Sequence, residues 1–356
     1  MCILGDYGKV VTGNTPPTKD IENYENGTYL WASPADLSTI KLISETKTKL
    51  SSKGFSKTRA LPKGSVLVTC IGSTIGKTGM ATKEMSTNQQ INSIVVNDNN
   101  DNEFVYYAIQ SAFPRYLSSI AVQAVPIISK SAFEMLPNKR PCLQEQKKIG
   151  KFLSLLDERI ATQCKIIEDL KMLKSAISHI LFSSKGAIHL SEIANVVMGQ
   201  SPSSNAYNDQ GLGMPLVQGN LDISNGKTTP RLYTAEFNQT TEKGNIILTV
   251  RAPVGEVAKA TQKVCLGRGV CAIIPHEENM SDFIYQYLTF YKFMWRRYEQ
   301  GSTFTSINGS DVRNIFCPKV RNVSILTLLN IKINIEERVV KQYQSQKQYM
   351  LYQMFI

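Results

Sequence analysis

The sequence predicts an α+β protein made of two duplicated domains with mainly β cores, separated by two long antiparallel coiled-coil helices. The pattern LDERI at residues 156–160 returns as IEERV at residues 335–339, a shift of 179 positions. β-branched runs with glycine-bearing turns recur in both halves, and helical apolar spacing closes each half. A repeat in constant register indicates a duplicated unit. A function that needs two like surfaces is therefore the leading hypothesis.

The repeat divides the chain into four segments. The first domain is predicted at residues 1–142 and opens with the strand-like stretch LGDYGKVVTG. The second is predicted at residues 186–321 and opens with LSEIANVVMGQSPS, related to the first opening by a shift of 186. A central spacer helix occupies residues 143–185 and a C-terminal spacer helix residues 322–356. The change of shift indicates that loops of different length join matched elements.

Within each half, the pattern predicts a β hairpin, a further strand and a short helix. The hairpins lie at residues 63–81 and 243–260, where Gly76 and Gly255 are expected to supply a positive φ at the turns. The further strands are predicted at residues 91–96 and 270–274, and the short helices at residues 103–113 and 282–293. Each half therefore begins as a mainly β globular domain.

Residues 145–182 carry apolar side chains at alternating intervals of four and three, which predicts a coiled-coil helix roughly 57 Å long at ~1.5 Å per residue. Its predicted seam contains Gln163, Lys174 and the apolar residues Ile149, Leu153, Leu156, Ile160, Ile167, Leu170, Ile177 and Leu181. The repeat assigns Leu328, Ile335 and Val339 to the seam of the second helix. Polar residues interrupt that second seam at Lys332, Gln342 and Gln346. We expect the two helices to pair with each other. Gly186 is expected to end the first helix.

Composition narrows the class of protein. The 356 residues are 42% hydrophobic, enough for two ordinary cores, and carry a formal net charge of +11. A basic excess favours a polyanionic partner, most often nucleic acid. No run of 18 apolar residues predicts a membrane span and no signal peptide is recognisable, so we expect a cytoplasmic protein. The seven cysteines are scattered without a CxxC pair, which predicts reduced thiols and no zinc site.

The motifs of common active sites are missing. GSTIGKT at residues 72–78 resembles a phosphate-binding loop, but only three residues separate its glycines, and the equivalent residues 251–256 contain neither lysine nor a hydroxyl. No G-x-S-x-G, G-x-G-x-x-G or H-E-x-x-H motif occurs. The acidic pairs at residues 157–158 and 336–337 are interpreted as solvated or salt-bridged helix faces, with subunit docking as the alternative. The chain is therefore predicted to be non-catalytic.

Polar and basic side chains in the matched β domains are the candidates for DNA contact. Lysine and arginine neutralise phosphates, whereas asparagine, glutamine and arginine pair with base edges. The candidates are Lys57, Arg59, Lys77, Lys83, Asn88, Gln89, Gln90, Arg115, Arg251, Lys259, Arg268, Arg296 and Arg297. A solvated surface role stays open for each residue taken alone, while the set as a whole favours DNA.

The sequence resembles the specificity subunit of type I restriction–modification systems over essentially its whole length. The resemblance is carried by the openings VVTGNTPP and VVMGQSPS, by the hairpins that contain Gly76 and Gly255, and by LQEQKKIGKFLSLLDERI at residues 143–160. It implies two target-recognition domains held apart by two antiparallel helices. It also implies that the chain performs no chemistry and reads double-stranded DNA with a bipartite target, one half-site per domain.

The resemblance further implies partners for the helices. Two methyltransferase subunits would dock on the chain, and restriction/translocase subunits would join through the complex. S-adenosylmethionine, ATP and Mg are then expected on the partner subunits, with none bound by this chain. The second helix departs from the family pattern, because residues 322–325 replace the polar motif expected after Pro318. A coiled-coil scaffold without DNA binding is the alternative function.

Overall fold

The chain forms two compact units, one built from residues 1–164 and 339–356 and the other from residues 165–338. The computed structural model describes residues 2–37, 41–119, 127–183, 188–298, 306–319 and 322–355. Two long helices, Leu143–Phe182 and Ser324–Met354, each contribute residues to both units. The predicted end of the first helix at Gly186 lies outside the described residues.

The described part of the first unit contains three β-sheets. Its strands are β1 (Cys2–Ile3), β2 (Gly8–Thr12), β3 (Tyr29–Ala32), β4 (Leu42–Ile43), β5 (Thr48–Leu50), β6 (Val66–Thr69), β7 (Thr78–Ala81), β8 (Met85–Thr87), β9 (Ile91–Val96) and β10 (Pro137–Asn138). The five-stranded sheet has the order β2-β9-β6-β7-β4, the three-stranded sheet has the order β5-β3-β8, and β1 pairs with β10. All pairs are antiparallel except β3 with β8 and β4 with β7.

Helices cover the first unit's sheets and supply much of its core. They are α1 (Ser52–Ser56), α2 (Asn102–Ser119), α3 (Lys130–Glu134) and the amino-terminal part of α4 (Leu143–Phe182), with 3-10 turns at Leu4–Tyr7 and Ile21–Asn23. Phe104 and Tyr107 of α2 are buried against Val66 and Ile94 of the five-stranded sheet. The helix predicted at residues 103–113 is therefore present and runs six residues longer at its carboxyl end, to Ser119.

The second unit repeats this plan with two larger sheets. Its strands are β11 (Ile188–His189), β12 (Ala194–Met198), β13 (Tyr207–Asn208), β14 (Met214–Val217), β15 (Ile223–Ser224), β16 (Lys227–Thr228), β17 (Leu232–Thr234), β18 (Thr240–Thr241), β19 (Ile246–Thr249), β20 (Val257–Lys259), β21 (Val264–Leu266), β22 (Val270–Pro275) and β23 (Phe316–Cys317). The orders are β12-β22-β19-β20-β16-β15 and β13-β17-β14-β21-β18, and β11 pairs with β23. The parallel pair of β14 and β21 matches that of β3 and β8.

The second unit's helices are α5 (Ser281–Tyr291), α6 (Gly309–Arg313) and part of α7 (Ser324–Met354), with 3-10 turns at Leu190–Glu192, Ser204–Ala206, Asn220–Asp222, Glu278–Met280 and Lys292–Arg297. The helix predicted at residues 282–293 ends as an α-helix two residues early and continues as a 3-10 segment. In that segment Trp295 is fully buried, whereas Arg296 and Arg297 are exposed. Trp295 therefore belongs to the core, and the two arginines lie on the surface beside it.

The two predicted hairpins are confirmed, including their turn glycines. Gly76 has φ 91° and Gly255 has φ 90°. Each glycine N–H donates to the end of the preceding strand, Gly76 to the carbonyl of Thr69 over 2.9 Å and Gly255 to that of Thr249 over 3.0 Å. Strand β7 begins at Thr78, directly after the GSTIGK turn. A phosphate-binding loop requires a helix there, so the rejection of that motif is confirmed.

The long helices run antiparallel within each unit. In the first unit Asp157 of α4 pairs with Lys347 of α7 at 2.6 Å, and Arg159 contacts the Tyr343 hydroxyl at 3.4 Å. In the second unit Lys171 pairs with Glu337 at 2.7 Å. The apolar residues predicted for the α4 seam are all buried or half-buried. Two β-core domains and two paired long helices confirm the predicted fold class.

The face of α7 that packs differs from the one the repeat predicted. Leu328 is 64% exposed and Ile335 is 48% exposed, so neither packs in a helix-pairing seam; their predicted alternative role in subunit docking stays a prediction, and Val339 is half-buried. The described buried face instead contains Leu326, Ile333, Glu336, Val340, Leu351 and Phe355. The reason is the polar residues on the predicted stripe. Packing that stripe would bury a lysine and two glutamines, which costs free energy unless each finds a partner.

Candidate nucleic-acid interface

One end of the first sheet brings three loops together, which we call the first tip. These loops are residues 13–15, 70–72 and 87–90. The N–H of Gly13 donates to the carbonyl of Ile91 over 3.1 Å, and the N–H of Cys70 to that of Gln90 over 2.8 Å. A Cβ at Gly13 would lie 2.2 Å from the carbonyl oxygen of Asn88, so the loops approach too closely for a side chain. Backbone bonds thus hold the first tip in a defined arrangement.

The second domain repeats this arrangement, and we call its equivalent the second tip. Its loops are residues 199–201, 250–252 and 266–269. The N–H of Gly199 donates to the carbonyl of Val270 over 3.0 Å, and the N–H of Val250 to that of Gly269 over 2.9 Å. A Cβ at Gly199 would lie 2.1 Å from the carbonyl oxygen of Gly267. The opening loops match at a shift of 186 and the later loops at a shift of 179, and in each domain the two kinds of loop lie together in the same structural motif.

Three amide side chains of the first tip have different roles. Asn88 is only 8% exposed; its amide donates to Gln90 Oε1 over 2.9 Å, and its Oδ1 accepts from the backbone N–H of Gln90 over 3.0 Å. It cannot reach a base and instead positions Gln90. Gln89 is exposed, and its Oε1 accepts from the Thr15 hydroxyl over 2.5 Å. Gln89 and Gln90 therefore remain the candidates for base contact, while Asn88 is revised to a supporting residue.

Two basic candidates beside the first tip, Lys57 and Arg59, are partly engaged. The Arg59 guanidinium donates to the carbonyl of Thr12 over 2.6 Å, which fixes it beside the opening loop. Lys57 forms an ion pair with Asp20 at 3.0 Å. The pKa of Asp20 lies below its usual range, and the hydrogen bond from the Lys57 ammonium is the largest cause. Arg59 keeps free N–H donors for a phosphate, whereas the charge of Lys57 is offset by a carboxylate.

The second tip carries an open groove of about 470 Å³. Its lining consists of Ser201, Pro202, Ser204, Tyr207, Gln218, Gly219, Arg251, Ala252, Arg268 and Gly269. The N–H of Arg268 donates to Ser201 Oγ over 3.1 Å, and Arg251 pairs through its backbone with Ser306. Both arginine side chains are exposed, and neither guanidinium has a carboxylate partner among the described residues. The groove is therefore a basic, concave surface.

A buried carboxylate supports the wall of this groove. Asp222 is 2% exposed, and its Oδ2 accepts from the backbone N–H of Gln218 over 2.8 Å. Its Oδ1 pairs with Arg231 at 3.0 Å. The bond to Asp222 thus fixes the backbone of Gln218, while its side chain lines the groove.

The remaining predicted contacts lie outside the tip loops. Lys77 follows the first hairpin turn and is exposed, as is Lys83 in the turn after β7. Arg115, on α2, lines a separate groove beside residues of α4 and α7. Lys259 pairs with Asp282 at 2.6 Å and is engaged there. Arg296 and Arg297 remain exposed on the 3-10 segment beside the second hairpin. These side chains are suited to phosphate contact at most.

Three residues of the site were not predicted from the sequence. Thr15 and Ser201 supply hydroxyls at equivalent places, and Gln218 reaches the groove from β14 and the loop after it. A signal for the first two was present, because both openings carry a hydroxyl residue two positions after the matched glycine. No comparable signal marks Gln218, since it enters the groove only through strand pairing.

The described residues of the site form no recognisable catalytic arrangement. Among the described ranges, no group of three histidine, cysteine, aspartate or glutamate residues could hold a metal ion. Burial raises the pKa of the Cys70 and Cys271 thiols to about 12, so these thiols are inert rather than nucleophilic. In the same described part of the chain, no helix is long and apolar enough to span a membrane. The tips instead present the hydrogen-bond donors and acceptors of polar side chains on loops that backbone bonds hold in place.

Comparison with known proteins gives a consistent family. The family model described as the type I restriction modification DNA specificity domain matches residues 2–172 and 186–319. The chain is 32% identical over 226 residues to a putative type I restriction enzyme MjaX specificity subunit of Methanocaldococcus jannaschii, covering 57% of this chain and 53% of that protein. It is 30% identical over 174 residues to the MjaIX specificity subunit of the same organism, covering 47% and 40%. The matches thus span about half the length of these curated relatives, or less.

Solved structures share the fold. The type I restriction–modification S subunit of M. genitalium superposes with a TM-score of 0.66 at 20% identity, covering 99% of this chain and 95% of that chain. A chain from a structure of complex assembly and conformational transition of the type I R-M system gives a TM-score of 0.63 at 20% identity, covering 98% and 95%. At this identity the likeness concerns the fold.

Proposed function

Because the chain belongs to the type I restriction–modification DNA specificity family, we propose that it is the sequence-reading subunit of such a system. It performs no chemistry itself, and each domain reads one half of a bipartite target in double-stranded DNA. The observation that carries the proposal is the duplicated tip. Two domains present loops held by the same backbone bonds and bearing polar or basic side chains. Two like surfaces on one chain suit two half-sites.

Electrostatics support DNA as the ligand. The chain has a net charge of +11, and the exposed Arg251 and Arg268 face a groove whose described lining contains no acidic residue. Basic side chains bind phosphates by releasing counterions, and arginine also reads base edges. Binding is therefore expected to weaken steeply as the salt concentration rises.

The helices are proposed to dock two methyltransferase subunits, and restriction/translocase subunits would join through that complex. Supporting this are largely exposed apolar side chains on α4 and α7, for example Leu155 at 54% exposure, Ile180 at 80% and Tyr352 at 67%. Exposed apolar surface of this kind marks protein contacts. S-adenosylmethionine, ATP and Mg would then be bound by the partner subunits. A scaffold without DNA binding would use the same helices. Only DNA binding at the tips therefore distinguishes the proposed function from the scaffold alternative.

The test is methylome sequencing of cells that carry this chain with its methyltransferase subunit, against cells that carry the methyltransferase subunit alone. The expected result is a new split motif with N6-methyladenine in each half. Replacing Arg251 and Arg268 together with alanine should remove or relax one half of that motif only. Lys227→Gln, which removes an exposed charge of β16 outside the tip, should leave the motif intact. A chain that produces no new motif, and whose purified complex binds no duplex, would be a scaffold instead.

A further inference from the structure

The two tips present different chemistry at equivalent places. Gln89 in the first tip and Arg268 in the second each lie next to a hydroxyl residue of their opening loop. Thr15 donates to Gln89 Oε1 over 2.5 Å, and Ser201 accepts from the Arg268 N–H over 3.1 Å. One domain thus presents an amide where the other presents a guanidinium.

The two tips also differ at a second pair of equivalent residues, and again the second tip carries the arginine. Ile71 bridges to Ile127 in the first domain, and Arg251 bridges to Ser306 in the second, each two residues after the hairpin's first strand. The first tip has an apolar side chain where the second tip has an arginine. The described lining of the second tip therefore holds two guanidinium groups, against none at the corresponding places of the first.

We propose that the second tip reads guanine through Arg268 and Arg251, whereas the first tip reads adenine through Gln89. This inference rests on the proposed function and adds to it the bases that each half-site contains. In the major groove, arginine donates two hydrogen bonds to O6 and N7 of guanine, and glutamine pairs with N6 and N7 of adenine. The lone aliphatic Ile71 suits contact with a thymine methyl.

The side chains are available for this reading. No described residue accepts from either guanidinium at the second tip, so both keep their full set of donors. At the first tip, the Thr15 hydroxyl engages the oxygen of Gln89 and thereby orients the amide. One lone pair on that oxygen and both N–H donors stay free, which is what bidentate pairing with adenine needs. Gln90, positioned by Asn88, lies beside it as a second amide.

The experiment is selection of bound sequences from a randomised DNA duplex library by the full-length chain and four variants. Arg268→Gln should lose guanine at one position of one half-site, with a fall in preference of roughly tenfold, and leave the other half-site unchanged. Gln89→Arg should convert an adenine to guanine in the opposite half-site. Lys227→Gln, charge-matched to the first variant, should change neither.

Arg268→Lys separates base reading from phosphate contact. Lysine keeps the charge but lacks the planar pair of donors, so the guanine preference should relax while overall affinity holds. If Arg268→Gln weakens binding to all sequences equally and Arg268→Lys restores it, Arg268 contacts phosphate and the inference is overturned. If the wild-type chain selects a split motif that contains no guanine in either half, the inference also fails while the proposed function stands. Selection of no motif at all would remove the proposed function itself.

Discussion

At the scale of single residues, the Tyr107 hydroxyl links three helical elements of the first unit. It donates to Asp157 Oδ2 over 2.5 Å, and Lys347 pairs with the other oxygen of that carboxylate at 2.6 Å. Lys41 donates to the same hydroxyl over 3.2 Å. Asp157 is the first acid of the repeated LDERI motif, so the salt-bridged interpretation of that motif is confirmed for this residue. The motif contributes to packing between helices.

Tyr107→Phe should destabilise the first unit by about 1.5–3 kcal/mol, the range for a hydrogen bond to a charged group. Burial, followed by the bond to Asp157, raises the pKa of Tyr107 above its ordinary value. Its contribution is therefore complete below about pH 10 and is lost as the pH rises beyond that, because only the unfolded chain releases the proton. Thermal unfolding followed by circular dichroism should show a shallower alkaline decline in the variant than in the wild type. Tyr349→Phe, at a 59% exposed position, is the control and should behave as wild type.

The sequence indicates which side chains are suited to DNA contact, but it does not show which partners each of them meets in the folded chain. Gln89 and Arg268 were predicted as contacts and lie exposed on the tips. Asn88 was predicted with them but points inward, since two hydrogen bonds to Gln90 satisfy it there. Lys259 was predicted as a contact but meets a carboxylate that comes from a helix distant in sequence. Such pairings depend on tertiary neighbours that one sequence does not reveal.

At the scale of elements, α7 shows why a repeat alone does not determine a packed face. The LDERI and IEERV motifs align in sequence, yet the α7 residues that pack are Leu326, Ile333 and Val340, seven positions apart. They lie on a stripe that is mostly apolar, with the buried Glu336 as an exception, whereas the stripe predicted from the repeat carries Lys332 and Gln342. Burial of apolar area therefore outweighs the inherited register. The hairpins and the strands after them, which depend on local pattern, are present in both halves as predicted, whereas the strands between the openings and the hairpins were not predicted.

Ile333→Ala and Ile335→Ala form a matched pair on this helix. Ile333 is 7% exposed and lines a groove together with residues of α4. Its truncation to alanine should lower the free energy of unfolding by about 2–4 kcal/mol, because it leaves a cavity. Ile335 is 48% exposed and should change the free energy of unfolding by less than about 0.5 kcal/mol. Chemical denaturation of the purified chain measures both values. Equal losses at the two positions would show that the face copied from the repeat packs after all.

At the scale of the whole molecule, α4 is one continuous helix of 40 residues that belongs to both units. On the proposed function, its length sets the unread gap between the half-sites. Deleting one heptad from α4 near residue 164 and one from α7 near residue 338 should shorten the gap by about three base pairs, at ~1.5 Å per residue and ~3.4 Å per base pair. The bases of each half-site should stay the same, because the tips are untouched.

The measurement is the split motif that the shortened chain selects, or that its complex with the methyltransferase subunit methylates. Inserting one heptad into each helix at the same places is the companion variant and should lengthen the gap by the same amount. An altered half-site in either variant would mean that the helices take part in base reading, contrary to the spacer role.

The first unit combines residues 1–164 with residues 339–356, which affects how it folds during synthesis on the ribosome. Leu351 and Phe355 belong to the same core as Phe104, and the two phenylalanine rings lie 5.4 Å apart. Residues 165–338, which build the other unit, are all translated before them. At about 5–20 residues per second, the nascent amino-terminal half waits roughly 10–35 s with part of its core unfilled. Folding during translation is thus expected to finish in the reverse of the usual order, downstream domain first.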